Sequence, residues 1–279
     1  MNQELVLRYK QTQKSVLYFL NFEAILLGEM LEAIRDMRQM ELLVCLEVGS
    51  GGTGAFVPDC PGCWVFGSTP ASALNKVRAA VVEWIEWLSG HGEQPSIKAD
   101  EIDIIEGEIL RVTYNPVEAG KPEPLFWSEV LSINYEDIER TIRLMGYSRS
   151  DLLKLVSNLD GDVLDWQPPR KPRTIRNCLR HIGIVEWWYI TRLDIDLAEE
   201  FPEDVFELLH LTREVAVHNL QNLPEEKWSG VFQPRKHVDP EATVCNLWTA
   251  RKMLRRFVDH ERLHTRYIEK VLRVLKDPR

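Results

Sequence analysis

Several features are scarce in this sequence, and each absence narrows what the chain can be. No uninterrupted apolar run approaches the ~20 residues needed to cross a bilayer. The most apolar early stretch, residues 16–27, is short and carries Asn21 and Glu23. No membrane anchor is expected. A cleavable signal peptide is not legible, and the five cysteines, Cys45, Cys60, Cys63, Cys178 and Cys245, form an odd and scattered set. A reduced, cytoplasmic protein is the expectation. Positive charge is in deficit: the formal net charge is -9. Nucleic-acid affinity rests on Lys and Arg displacing condensed counterions, so nucleic acid is not an expected partner. The basic run Arg251, Lys252, Arg255 and Arg256 reads as a solvated helix face. No second CxxC accompanies Cys60 and Cys63, which sit in a strand-connecting turn and not at a helix start that would favour a thiolate. They are assigned no metal or redox role.

What is present suffices for a core, because 44% of the residues are hydrophobic and 28% charged, the balance of an ordinary globular chain. The length of 279 residues suggests two domains. Residues 1–39 read as a helical N-terminal extension whose role is open, and Met40 stands where a shorter chain would start. From residue 41 the pattern alternates through Leu42, Val44, Leu46 and Val48, passes a glycine cluster and resumes at Ala55, the signature of a hairpin. Trp64 to Phe66 supply a third strand. Ser68, Thr69 and Pro70 form a helix start, followed by a helix over 70–89 with Leu74, Val77, Val81, Ile85 and Leu88 on one face. A last strand is expected over 101–113.

These elements carry a resemblance. The run Phe56-Val57-Pro58-Asp59-Cys60-Pro61-Gly62-Cys63, then Gly67-Ser68-Thr69, Ala71, Ala73-Leu74 and a tryptophan-bearing helix ending near Gly92, resembles the HicB family of antitoxin-like domains over residues 41–113. The resemblance implies a small α+β domain of order β-β-β-α-β, assigned to residues 40–114, and only its fold is carried over.

Residues 115–131, with Pro116, Gly120, Pro122 and Pro124, read as a linker. Beyond it, residues 132–279 have helical periodicity throughout. Helices are expected over 132–159, 174–193, 203–223 and 242–275, together an all-α antiparallel four-helix bundle. The last contains Asp259-His260-Glu261-Arg262-Leu263-His264, and the four-residue spacing places both imidazoles on the face that Leu254, Phe257, Ile268 and Val271 mark as inward. The second helix offers His181, bordered by Cys178, Val185 and Trp188. Facing helices of a bundle are where metal sites are built, and three neutral imidazoles suit zinc, nickel or iron(II). The residues alone equally admit core histidines with hydrogen-bond partners. Glu186 and Glu261 flank the imidazoles and are candidate catalytic groups, to orient a ring or accept a proton, or else solvated helix carboxylates. His210, His218 and His237 are unpaired in spacing and are left out.

The run Thr174-Ile175-Arg176-Asn177-Cys178-Leu179-Arg180-His181, then Glu186-Trp187-Trp188, and the closing run from Asp259 through Tyr267-Ile268 together resemble the DinB/YfiT-like family over about residues 132–275. The resemblance implies a divalent metal held by His181, His260 and His264. Several members are metal-dependent thiol transferases or hydrolases. The reading is therefore a metal-binding protein acting on a small-molecule substrate; its rival is a non-catalytic scaffold, related to stress response or toxin-antitoxin systems, whose metal is structural. A protein partner at the HicB-like sheet and a homodimer are both compatible with either reading. Free imidazoles titrate near ~6.5, so metal affinity is expected to fall on acidification through that range.

Overall fold

Alternation and turn chemistry produce the first layer. A computed structural model describes residues 41–95, 102–116, 124–169, 173–234 and 247–276; the extension over 1–39, His237 and Cys245 lie outside the described residues. Strands β1 (Glu41–Gly49), β2 (Gly52–Phe56), β3 (Trp64–Gly67) and β4 (Asp103–Arg111) form one sheet of order β3-β2-β1-β4. β1 and β2 form an antiparallel hairpin with Leu46 opposite Ala55, and β2 pairs antiparallel with β3. β4 runs in the direction of β1: Gly107 lies against Leu43 and Val44, and Val112 N–H donates to Val48 further along. Helix α1 (Pro70–Gly90) makes the crossover from β3 to β4. It starts where expected, with Thr69 Oγ1 accepting from Ser72 N–H and Pro70 in the first turn, where no donor is needed. The order β-β-β-α-β is thus the one expected.

The helical part contains five helices among the described residues: α2 (Tyr135–Val156), α3 (Gly161–Asp165), α4 (Ile175–Thr191), α5 (Val205–Gln221) and α6 (Ala250–Lys276). Four correspond to the expected long helices. α3 was not expected; Asp160 caps it, and buried Leu164 anchors its one turn in the joint between α2 and α4. Side-chain caps set the other starts: Asn134 and Asp137 exchange hydrogen bonds at α2, Thr174 caps α4 and Asp204 caps α5.

The sheet is covered on both faces. Leu42, Val44, Leu46 and Ala55 pack on α1 and join a core that continues into Leu144, Met253 and Phe257 of the helical part. On the other face Cys45 and Phe56 meet Phe126. Phe126 falls within the stretch expected as linker, yet it is buried, and Glu129 beside it pairs with Arg255 at 2.7 Å. This explains a difference from the sequence reading. Lys252, Arg255 and Arg256, expected on a solvated face, are buried, because α6 turns this side to the sheet: the Arg255 guanidinium lies over Phe56 and that of Arg256 over Trp64. The described residues from Leu42 onward form one compact unit.

No described helix is long and apolar enough to cross a membrane.

Candidate metal centre

α4 and α6 bring together His181 and the spaced pair His260 and His264. The ligand atoms of His181, His260 and His264 all lie within 4.8 Å of one another, and among the described residues this is the one group of at least three such side chains. His260 Nε2 and His181 Nε2 are 3.2 Å apart. That separation fits a shared ion: four ligands in tetrahedral array around zinc at about 2.0–2.1 Å stand roughly 3.3 Å from one another. The donor set therefore suits a divalent metal.

Electrostatics keep these rings in the ligand form. Burial, reinforced by the charge of Arg173, pushes His181 down to about 4. Burial, then His181, Arg173 and Arg256, pushes His264 down to about 3. His260 is held well below its ordinary value by burial and then by His264 and Arg256. At neutral pH all three rings are uncharged, and no acidic side chain figures among the causes of their shifts.

The walls are aromatic and polar by turns. Tyr189 of α4 meets His260 edge-on, with ring centroids 5.8 Å apart. Tyr267, one turn beyond His264, donates its hydroxyl to Arg173 O at 2.6 Å, which ties the approach to α4 onto α6. Cys178, one turn before His181, places Sγ 3.4 Å from His264 Nδ1. Burial pushes this thiol up to about 12.

Glu186 and Glu261, the candidate catalytic carboxylates, accept hydrogen bonds from two arginines. Arg149 Nε donates to Glu261 Oε1 at 2.5 Å and its Nη2 to Glu186 Oε2 at 2.9 Å. Arg213 donates through Nε to Glu186 Oε1 at 2.5 Å and through Nη2 to Glu261 Oε2 at 2.6 Å. All four carboxylate oxygens thus face guanidinium donors. This box joins α2, α4, α5 and α6, with Arg149 also donating to Leu209 O and Arg213 to Met145 O. Burial alone would raise the Glu261 carboxyl, but Arg149 and Arg213 outweigh it and the net shift is downward. Sequence reasoning missed the box because its arginines stand on two helices that supply none of the histidines; inward positions of Arg149 and Arg213 beside Met145, Leu152 and Leu209 were the available signal.

Cys60 and Cys63 are buried free thiols, and burial pushes Cys63 up to about 12. Their turn is an anchor: Gly62 N–H donates to Asp259 Oδ1 at 2.5 Å, and Trp84 Nε1 donates to Pro61 O at 2.8 Å. His210 and His218 are not part of the triad.

Residues 145–268 match the family model of the DinB superfamily. That span runs from the second half of α2 into α6 and includes the three histidines and the Arg–Glu box, so the helical part is similar to the DinB superfamily over these residues. No curated protein and no solved structure matches the chain.

Proposed function

We propose that the helical part binds one divalent metal ion through His181, His260 and His264 and acts with it on a small molecule, as a thiol transferase or a hydrolase. The observation that carries the reading is the convergence of three uncharged imidazoles from two helices within 4.8 Å, with His260 and His181 at ligand-to-ligand spacing.

Without an ion the rings contact one another and Cys178, with His260 Nε2 3.2 Å from His181 Nε2 and His264 Nδ1 3.4 Å from Cys178 Sγ; a shared ion would take a lone pair from each ring. Three protein ligands leave a fourth position for substrate or water, the pattern of catalytic rather than structural zinc. A bound ion there would supply Lewis acidity, lowering the pKa of a water or thiol so that it becomes a nucleophile near neutral pH. The chain's own residues prepare the site for that. Tyr189 packs edge-on against His260, and the positive charges of Arg173 and Arg256 favour an anionic ligand over a cationic one. Glu186 and Glu261, paired with Arg149 and Arg213, hold the helices in register.

Elemental analysis of protein purified without a metal-binding tag should find close to one equivalent of metal. His181→Ala and His264→Ala should each bind far more weakly while keeping the helical content of the parent. Retention of parental stoichiometry and affinity in both variants would refute the assignment. A small thiol should also perturb the visible bands of the cobalt(II) form, since an open position admits it; bands indifferent to thiol and water alike would favour a closed, structural ion.

A further inference from the structure

We infer that Cys178 is a positioning residue of the histidine triad: its sulfur accepts a hydrogen bond from Nδ1–H of His264 and so keeps the Nε2 lone pair of that ring turned towards His181 and His260. The inference rests on the metal-binding reading of the site, and it adds a residue that the ligand set does not contain.

α4 and α6 run antiparallel here, and their side chains meet as two successive rungs. His181 faces His260 at 3.2 Å, and one turn away Cys178 faces His264 at 3.4 Å. Cys178 and His181 are three residues apart and His260 and His264 four, so each helix presents both of its members on one face. The second rung differs from the first in chemistry. Cys178 Sγ is not among the atoms lying within 4.8 Å of one another, so it lies outside the triad, against Nδ1 of His264.

A neutral imidazole carries its proton on one nitrogen only, and a ligating nitrogen must be the other one. If His264 is to offer Nε2, Nδ1 must be the protonated atom, and a buried N–H needs an acceptor. Metal-ligating histidines usually find that acceptor in a carboxylate, a backbone carbonyl or water. The sulfur of Cys178 occupies this place at a distance suited to an N–H···S contact. A sulfur acceptor is weak and uncharged, so it orients the ring without adding negative charge to the site.

The test compares Cys178→Val, which fills the volume without an acceptor, with Cys178→Ser, which keeps one. Competition against a chelator at fixed pH should show cobalt(II) affinity lowered roughly 10–100-fold by valine and largely restored by serine, a rescue that simple packing would not produce. Ring ¹⁵N shifts of His264 in the metal-free protein should report the Nδ1–H tautomer in the parent and a mixture in Cys178→Val. This second readout separates the two claims. A parent that takes up no cobalt but shows the tautomer effect would sink the metal reading and leave the positioning role standing. An Nε2–H tautomer in the parent, or valine and parent binding cobalt equally, would overturn the role of Cys178. So would a sulfur-to-cobalt charge-transfer band in the parent that Cys178→Val abolishes, because the sulfur would then be a ligand.

Discussion

At the residue scale, burial changes what the imidazoles do with protons. Their free pKa near ~6.5 would have metal released as the pH falls through that value. In the folded chain His181 is pushed down to about 4 and His264 to about 3. Protons therefore compete with metal only in the range of those lowered values, and a chelator titration at pH ~5.5 should give nearly the affinity found at neutral pH. Release of the ion near pH 6.5 would show that the rings are not held neutral by the fold. The sign for the metal-free protein follows from the same shifts. Between ~6.5 and the folded values the unfolded chain binds more protons than the native one, so stability falls as pH is lowered through that window. The thermal midpoint should drop from pH 7 to pH 4, and less steeply in His264→Leu. Gly62 offers a second test at this scale. It has φ +90, and a Cβ there would stand 2.5 Å from Arg262 Cδ, whose guanidinium is stacked on Trp87 at 3.7 Å and cannot swing away freely. Gly62→Ala should lower stability by about 1–3 kcal/mol through backbone strain, and a neutral result in urea unfolding would mean the turn can shift.

At the element scale, the Arg–Glu box governs how four helices pack. Each of Arg149, Glu186, Arg213 and Glu261 comes from a different helix, and every pair in the ring is within hydrogen-bond distance. Taking out one arginine strands buried carboxylates, a loss of about 3–5 kcal/mol when one partner of a buried ion pair is removed. Arg149→Met should show this in chemical denaturation. Replacing all four by apolar residues of similar volume should recover most of that loss, since the charges and their desolvation penalty leave together. If the single and fourfold variants were equally unstable, the box would owe its effect to shape and not to charge. The box also bears on the site, because Glu261 adjoins His260 in α6 and Glu186 follows His181 in α4.

At the scale of the whole molecule, the sheet and the helices share one core. Leu46, Ala55 and Val77 belong to the same cluster as Leu144, Met253 and Val258, and the second sheet face is closed by Phe126 and by Arg255 of α6. A fragment of residues 41–124 leaves Phe56 and Cys45 without that cover. It should show no cooperative thermal transition, whereas the full chain should; a sharp transition in the fragment would establish that β1 to β4 and α1 form a core of their own.

The sequence by itself determined the local elements and the shared face of His260 and His264. Strand alternation, Thr69, Asn134, Thr174 and Asp204 as caps, and the inward stripe on α6 all depend on neighbours within a turn or a hairpin, and the four-residue spacing of His260 and His264 is equally local. Tertiary structure decided the rest. Arg255 and Arg256 look like surface residues in any window of α6, and they became buried only when the sheet supplied Phe56 and Trp64 and the turn at 127–129 supplied Glu129, each more than a hundred residues away. Glu186 and Glu261 look like groups poised beside the imidazoles, but on a helix of 3.6 residues per turn Glu261, next to His260, points about 100° away and Glu186, five residues after His181, about 140° away. Which partner waits in that direction, an imidazole or an arginine, depends on the packing of α2 and α5, and no local pattern encodes it.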